Sequence, residues 1–428
     1  MTAPEPGPEP TTVIIGAGVI GCATAYFLSH SPKSKSQPRN IHLIESSPEL
    51  FASASGKAGG FVAEDWFGPA TASLGALSFR LHDELAKKYD GMKRWGYSRS
   101  TGTSLVDGGG GATSAGGGDW LNEGGSRAEA AGVHEYGRDG VGPRWLKRRK
   151  GDRVEAISEE GGVAQVDPLR LSKFLLGESL DEGVRLHQPA RAIKLLTGED
   201  GVLKGLKIRK DSDAEGEAKE EEIPCTRLLI TAGAWTPRVF ETLFPGSKLR
   251  IPISPLAGHS VVVRSPRWTK EHESKGCHAI FTTMRSGFSP EIFSRIGEEI
   301  YIAGLNSPSL PLPELATDAK IDQESIKELM EISQQLLGGD GAELSDVELV
   351  REGLCFRPVT RNGSPILTQI EDEQLGGVST LPSPTGGVFV CAGHGPWGIS
   401  HSLGTGKVMA EMLEGQKLSA DVRRLGMT

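Results

Sequence analysis

Thr11-Thr12-Val13-Ile14-Ile15-Gly16-Ala17-Gly18-Val19-Ile20-Gly21 is the stretch on which the reading of this chain turns. Its first five residues are all β-branched and favour a short strand, because a branched Cβ fits a pleated surface better than a helical turn. From Val19 to Ser29 the pattern becomes helical and stops at Ser31-Pro32. Three glycines in GxGxxG spacing join the two. Gly16 permits the tight turn, Gly18 lets a pyrophosphate approach the backbone, and Gly21 lets helix and strand pack closely. Amides at the helix start, around Val19 and Ile20, form a ready anion site. A polar loop, Lys33 to Asn40, leads to a second strand, Ile41 to Ile44, which closes on Glu45 and Ser46. A carboxylate at that point accepts hydrogen bonds from ribose hydroxyls and would repel the 2′-phosphate of NADP. The unit is β-α-β, and it predicts a dinucleotide site.

The 428-residue chain is too long for one core and predicts two domains. With 37 % hydrophobic and 24 % charged residues it has the composition of a globular protein, although its 57 glycines are an excess. Part of that excess is local: between Gly102 and Gly125 the sequence is glycine, serine and aspartate, which predicts a flexible insertion about 102–125. A net charge of −8 offers no basic footprint, so nucleic acid is not expected as a partner. The five cysteines are scattered and never in a CxxC pair, which predicts neither a disulfide framework nor a zinc site and fits a reducing, cytoplasmic setting. Residues 1–10 read as a disordered tail and not as a signal peptide. No apolar run reaches the ~20 residues of a membrane span. The basic run Arg144, Lys147, Arg148, Arg149, Lys150 and Arg153 reads first as a solvated loop and second as a contact for an anionic lipid surface or partner.

Further along, Val202–Ile208 and Arg227–Ile230 read as strands separated by a charged hairpin tip, Lys210 to Glu222. Val261–Val263 and Ile300–Ile302 are strand-like, and Ile321–Leu337 is a helix ended by Gly338-Gly339. Near the C-terminus a strand at Val388–Val390, a glycine turn at Gly393–Gly398 and a helix at Gly404–Leu413 repeat the opening pattern.

A second small-residue segment, Ser53 to Gly60, follows the ribose strand; Ser55, Gly56, Lys57, Ala58, Gly59 and Gly60 offer amides, a hydroxyl and an ammonium to anionic oxygens. At this point the chain resembles the FAD-dependent oxidoreductases of the D-amino-acid-oxidase (DAO) superfamily, which includes glycine oxidase, sarcosine oxidase and D-amino-acid dehydrogenase. Four segments carry the resemblance: VIIGAGVIGCATAYFL, ASGKAGG, LLITAGAWT at Leu228–Thr236, and VCAGHGPWGISHSLGTGKVMAEML at Val390–Leu413. Weaker similarity lies in VAQVDPLRL and CFRPVTRNGSPIL. The resemblance implies FAD as cofactor and a Rossmann-type FAD-binding domain (11–62, 155–240 and 385–415) with a mixed-sheet α+β substrate domain (63–154 and 241–384). It implies further cofactor contacts at Ala190, at Ala232, Gly233 and Trp235, and at the turn Gly393, His394, Gly395, Pro396, Trp397, Gly398 and Ile399. The helix start behind that turn would stabilise negative charge developing on the flavin.

Within CFRPVT the resemblance places Arg357 on a substrate carboxylate, a role that suits the planar guanidinium fork. Cys355 falls where the sarcosine-oxidase branch links its flavin covalently, whereas many members have no bond, so both states stay open. His259 and His394 are the histidines nearest the motifs and are candidates for a catalytic part. The implied reaction is oxidation of a small amine or amino acid, with hydride passing to flavin N5 and electrons returning to oxygen or another acceptor. The alternative is a DAO-like protein that keeps FAD as a structural element and acts as a trafficking factor at endosomal membranes. An NAD-dependent dehydrogenase would leave the C-terminal glycine turn without a purpose.

Overall fold

A computed structural model describes residues 10–31, 40–108, 120–121, 125–132, 142–158, 161–210, 219–284, 288–339 and 346–427. Most of the expected glycine-rich insertion, and the tail 1–9, lie outside the described residues.

The opening unit forms as expected. The strand Thr11–Ile15 is followed by the helix Val19–Ser29 and the strand Asn40–Ile44, which pairs in parallel with the first strand in a register that sets Val13 opposite His42. These strands lie in a six-stranded sheet ordered Ile366–Ile370, Gly387–Ala392, Arg227–Ile230, Thr11–Ile15, Asn40–Ile44, Arg185–His187. All neighbours are parallel except the first pair. A parallel sheet is normally covered on both faces, and this one is. Ile14, Leu43, Leu229 and Phe389 pack under the helices Val19–Ser29, Pro168–Asp181 and Gly398–Leu413. Val13, Ile15, Ile230 and Val390 face Phe240 and Leu243 of the helix Thr236–Leu243 and the small sheet beyond.

The C-terminal helix spans Gly398–Leu413 and begins six residues before the expected Gly404. Serines and glycines have poor helix propensity, which hides this first turn from a local reading. Burial overrides propensity here, because small residues permit close packing: a Cβ at Gly406 would lie 2.6 Å from the Ala23 backbone of the first helix.

The nine-stranded sheet runs Glu348–Val359, Ser254–Arg264, Glu299–Ser307, Glu291–Arg295, Cys277–Thr283, Ser98–Val106, Val163–Gln165, Phe61–Ala63, with Arg153–Ala156 also paired to Ser98–Val106. It is antiparallel apart from the Cys277–Thr283 and Ser98–Val106 pair. The helix Gln323–Leu337, capped by the Asp322 carboxylate on the Ser325 amide, covers one face. The other face presents Phe61, Phe281, Phe293 and Tyr301.

Two details differ from the sequence reading. The hairpin that begins at Leu203–Lys210 returns through Lys219–Pro224, within the stretch read as charged turn, whereas Arg227–Ile230 joins the parallel sheet. Ion pairs Lys207–Glu220 and Lys210–Glu221 across this exposed pair allow a strand of acidic residues to form. The sheets also cut across the expected segment boundaries. Phe61–Ala63, Arg153–Ala156 and Val163–Gln165 sit in the nine-stranded sheet, and Ile366–Ile370 extends the six-stranded one by antiparallel pairing to Gly387–Ala392. Strands this short carry no signal of which sheet they join.

Candidate active site

A cavity of about 470 Å³ lies between the two large sheets. At one end the turn after the first strand holds Gly16 at φ +105°, where an added Cβ would lie 2.6 Å from the Thr231 carbonyl oxygen. Gly18, Val19 and Ile20 then open the first helix into the cavity. Ser55 Oγ accepts a hydrogen bond from the Val19 amide at 2.8 Å, which binds the second small-residue segment to this helix start. Glu45 lines the same end. Its carboxylate accepts from the amides of Ala17 at 3.1 Å and Ser47 at 2.9 Å, while burial raises its pKa above the ordinary value. Its own carbonyl accepts from the Ala190 amide at 2.7 Å, fixing the strand behind it.

The C-terminal turn supplies a second helix start. Gly395, Pro396, Gly398 and Ile399 line the cavity, and His394 is bridged to Val359 of the nine-stranded sheet. Two helix N-termini, each following a strand of the six-stranded sheet, therefore face one cavity, and both favour negative charge.

Most of the residues expected at the site come together. Gly16, Gly18, Val19, Ile20, Glu45, Ser46, Ser55, Ala58, Gly59, Gly60, Ala190, Ala232, Gly233, Trp235, His394, Gly395, Pro396, Gly398, Ile399 and Arg357 all line the cavity. Six do not. Gly21 lies behind the wall, where an added Cβ would meet the Gly16 carbonyl oxygen at 2.0 Å, so its part is packing. Gly56 backs onto Phe51, and Gly393 onto Thr360. Lys57 ends the short helix Ala54–Lys57 and lies against Gly353. Trp397 packs among Phe61, Trp66 and Phe67. His259 is buried elsewhere: its Nε2 accepts from the Asp322 amide at 3.1 Å, at the start of the helix Gln323–Leu337. Its strand turns that side chain toward the helix, away from the cavity.

His394 is buried with Nε2 3.1 Å from Thr405 Oγ1, and burial lowers its pKa to about 3. At neutral pH it is an uncharged imidazole. Cys355 also lines the cavity, and burial pushes its thiol up, keeping it protonated.

Arg357 directs Nη1 to Asn306 Oδ1 at 2.6 Å and lies over Gly258, whose missing side chain makes the space for it. Among the described residues no carboxylate is within ion-pair distance of it. Two charged residues of this chamber were not anticipated. Arg127 and Glu291 form a forked pair, Nε to Oε1 at 2.7 Å and Nη2 to Oε2 at 2.8 Å, and both line the cavity. Arg127 also donates to the Pro396 carbonyl at 3.1 Å and stacks on Trp397 with its guanidinium carbon 4.9 Å from the ring centre. Phe61, Phe293 and Tyr301 add an aromatic wall. None of these belongs to a local motif, so no sequence signal marks them.

Behind the C-terminal turn, His401 is buried against Phe67, its ring centroid 4.3 Å away. Among the described residues neither ring nitrogen meets a hydrogen-bond partner. Burial, and then the neighbouring His394, lower its pKa from 6.5 to about 3. The folded state thus resists protonation while the unfolded chain takes a proton below about pH 6.5, so stability present at neutral pH is lost as the pH falls. One such histidine costs about 2 kcal/mol at pH 5. Phe at this position should shrink the difference in unfolding free energy between pH 7 and pH 5 by about that amount. Denaturant unfolding at the two pH values checks it, and an unchanged difference would show that His401 is not buried neutral.

A parallel sheet with a glycine turn, a carboxylate beside it and a second helix start in one cavity is the arrangement of a dinucleotide-dependent enzyme. The chain belongs to the DAO family of FAD-dependent oxidoreductases, whose family model matches residues 11–412. The Schizosaccharomyces pombe protein C1F5.03c, named as an oxidoreductase without a stated substrate, is 28 % identical over 433 residues, covering 96 % of each chain. The structure of glycine oxidase from Geobacillus kaustophilus superposes with a TM-score of 0.69 at 20 % identity, over 97 % of this chain and 98 % of that one. L-Amino acid deaminase from Proteus vulgaris gives a TM-score of 0.67 at 14 % identity, over 100 % of this chain and 98 % of the other. FAD is the cofactor of this family, and the residues present fit it: a turn closed to any Cβ at Gly16, a helix start that opens into the cavity, and the Glu45 carboxylate beside it. Among the described residues no helix is long and apolar enough to cross a membrane.

Proposed function

We propose that this FAD-dependent oxidoreductase oxidises a small amino acid or related carboxylated amine. The observation that carries the reading is Arg357, a guanidinium in the same cavity as the dinucleotide cradle, hydrogen-bonded to the neutral Asn306 and within ion-pair distance of no described carboxylate, while Glu291, whose charge acts on it, is already engaged by Arg127. A buried charge left without a counter-ion is costly, and an anionic substrate group would relieve that cost.

In this reading Gly16, Gly18, Val19 and Ile20 hold the pyrophosphate, Glu45 the ribose, and the turn Gly395–Ile399 the flavin ring. The six-stranded sheet with its helices forms the cofactor unit and the nine-stranded sheet the substrate unit. FAD, when bound, supplies the two-electron acceptor for the carbon beside the substrate nitrogen, and the electrons then pass to oxygen or another acceptor. Arg357 grips the substrate carboxylate through its fork and so fixes which face of that carbon is presented. Phe61, Phe293 and Tyr301 exclude water around it. Helix-start amides at Gly398 and Ile399 meet developing negative charge. His394, neutral and tied to Thr405, holds the turn in place and is not required as a base. The amine must arrive or become unprotonated, which orientation alone does not achieve, so the rate should rise with pH.

The test is anaerobic addition of a panel of small amino acids and uncharged amines to the purified holoenzyme, followed at the flavin absorbance band. At least one carboxylated amine should bleach it. A panel that fails throughout, while dithionite reduces the flavin normally, would defeat the reading.

A further inference from the structure

Among the described residues, three charged side chains line the substrate end of the cavity: Arg357, Arg127 and Glu291. They are not equivalent. Both oxygens of Glu291 are engaged by Arg127, at 2.7 and 2.8 Å, and only 8 % and 14 % of the Arg127 and Glu291 side chains are exposed. Glu291 thereby cancels Arg127, and among the described residues the chamber retains one net positive charge, carried by Arg357. The walls between are Phe61, Phe293 and Tyr301, which offer no compensation for a second anion.

We propose that Glu291 is a specificity-determining residue that occupies a latent second carboxylate site at Arg127 and restricts the enzyme to substrates with a single carboxylate. The inference rests on the reading of Arg357 as the first carboxylate anchor. A substrate's second carboxylate would have to displace Glu291 from the fork, leaving one of two carboxylates buried and unpaired. Discrimination built on a repulsive or unpaired charge is stronger than discrimination by size, since an extra methylene changes little in comparison.

Arg127 is ready to take the place of a substrate clamp once Glu291 is neutral. Its guanidinium is held by the Pro396 carbonyl and by the face of Trp397 independently of Glu291, so its fork keeps its orientation in a Glu291→Gln variant. An amide in the carboxylate's place still accepts one hydrogen bond but leaves the cation without a counter-ion, and a distal carboxylate of the ligand can supply it.

Calorimetric titration of the holoenzyme with propionate and with succinate, which differ by one carboxylate, tests this without turnover. Wild-type protein should bind propionate at least tenfold more tightly than succinate. Glu291→Gln should raise succinate affinity at least tenfold and leave propionate within about threefold. The double variant Arg127→Gln/Glu291→Gln should lose that gain, because the fork is gone. Arg127→Met alone, which leaves Glu291 facing Arg357, should weaken propionate at least tenfold; this second variant keeps the idea testable if Glu291→Gln does not retain FAD. Equal wild-type affinity for the two acids would overturn the proposal, as would a Glu291→Gln holoenzyme with no gain for succinate. The Arg357→Ala holoenzyme separates the two readings. If it binds propionate like the wild type, the carboxylate anchor itself is wrong. If it loses propionate while Glu291→Gln gains nothing, only the role of Glu291 fails.

Discussion

Arg357→Ala should lower the efficiency of flavin reduction by a carboxylated substrate roughly tenfold to a hundredfold or more, since a charge-assisted hydrogen bond is worth about 1.5–3 kcal/mol. The residue sits over Gly258 with one nitrogen on Asn306 Oδ1 at 2.6 Å, leaving the remaining donors of its fork to the cavity. Losing it removes orientation as well as affinity, so both the rate at saturation and the half-saturating concentration should suffer. An uncharged amine should be reduced at nearly the wild-type efficiency. Arg357→Lys should recover part of the loss, because an ammonium keeps the charge without the planar fork. Anaerobic stopped-flow reduction of the three forms, with FAD occupancy measured first, decides the matter. Equal rates on a carboxylated substrate would leave Arg357 as a structural arginine held by Asn306.

An effect at least as large is expected at the other end of the cavity from a single methyl group. Gly16→Ala places a Cβ 2.6 Å from the Thr231 carbonyl oxygen and 2.9 Å from Ala232 Cα, contacts made by backbone that cannot swing aside. The residue also holds φ +105°, a conformation that costs a non-glycine residue of order 1–3 kcal/mol. Overpacking adds a further ~1–3 kcal/mol. The strain falls on the turn that aims Gly18, Val19 and Ile20 into the cavity, so FAD affinity should drop at least a hundredfold and the protein should purify largely without flavin. Gly177→Ala is the matched control. It lies inside the helix Pro168–Asp181 with no atom within 4 Å of its added methyl group, and it should gain about 0.5–1 kcal/mol of stability with FAD content unchanged. If Gly16→Ala retained wild-type FAD affinity, the cradle would not be where the pyrophosphate sits.

How far the chain could be read in advance depended on how local each feature is. The opening strand, glycine turn, helix and ribose strand were legible because each is written in a run of consecutive residues, and their boundaries fall within a residue of those expected. Glu45 was legible for the same reason, as the residue that ends the strand beside the glycine turn. Arg357 and the turn Gly393–Gly398 were reached through family resemblance, and the cavity contains Arg357 and most of that turn. His259 carried an equally motif-like setting and was placed elsewhere, because alternation along the strand Ser254–Arg264 decides which face a side chain takes, and a motif does not specify its neighbours.

The amino-acid sequence alone marked the opening β-α-β unit with its glycine turn and a second, strand-rich unit, since glycine spacing and hydrophobic period act over a few residues of chain, and it pointed to FAD through the family resemblance of four segments. Only the tertiary structure decided which strands share a sheet and what the substrate end contains. Arg127 and Glu291 are separated by 164 residues, and Asn306 and Arg357 by 51. Their meeting depends on the pairing registers of the nine-stranded sheet, such as Glu291 opposite Ala303, and on the packing of a short helix against the C-terminal turn. Such registers are set by burial of whole faces at once, a property of the assembled sheet that no segment of the chain carries by itself.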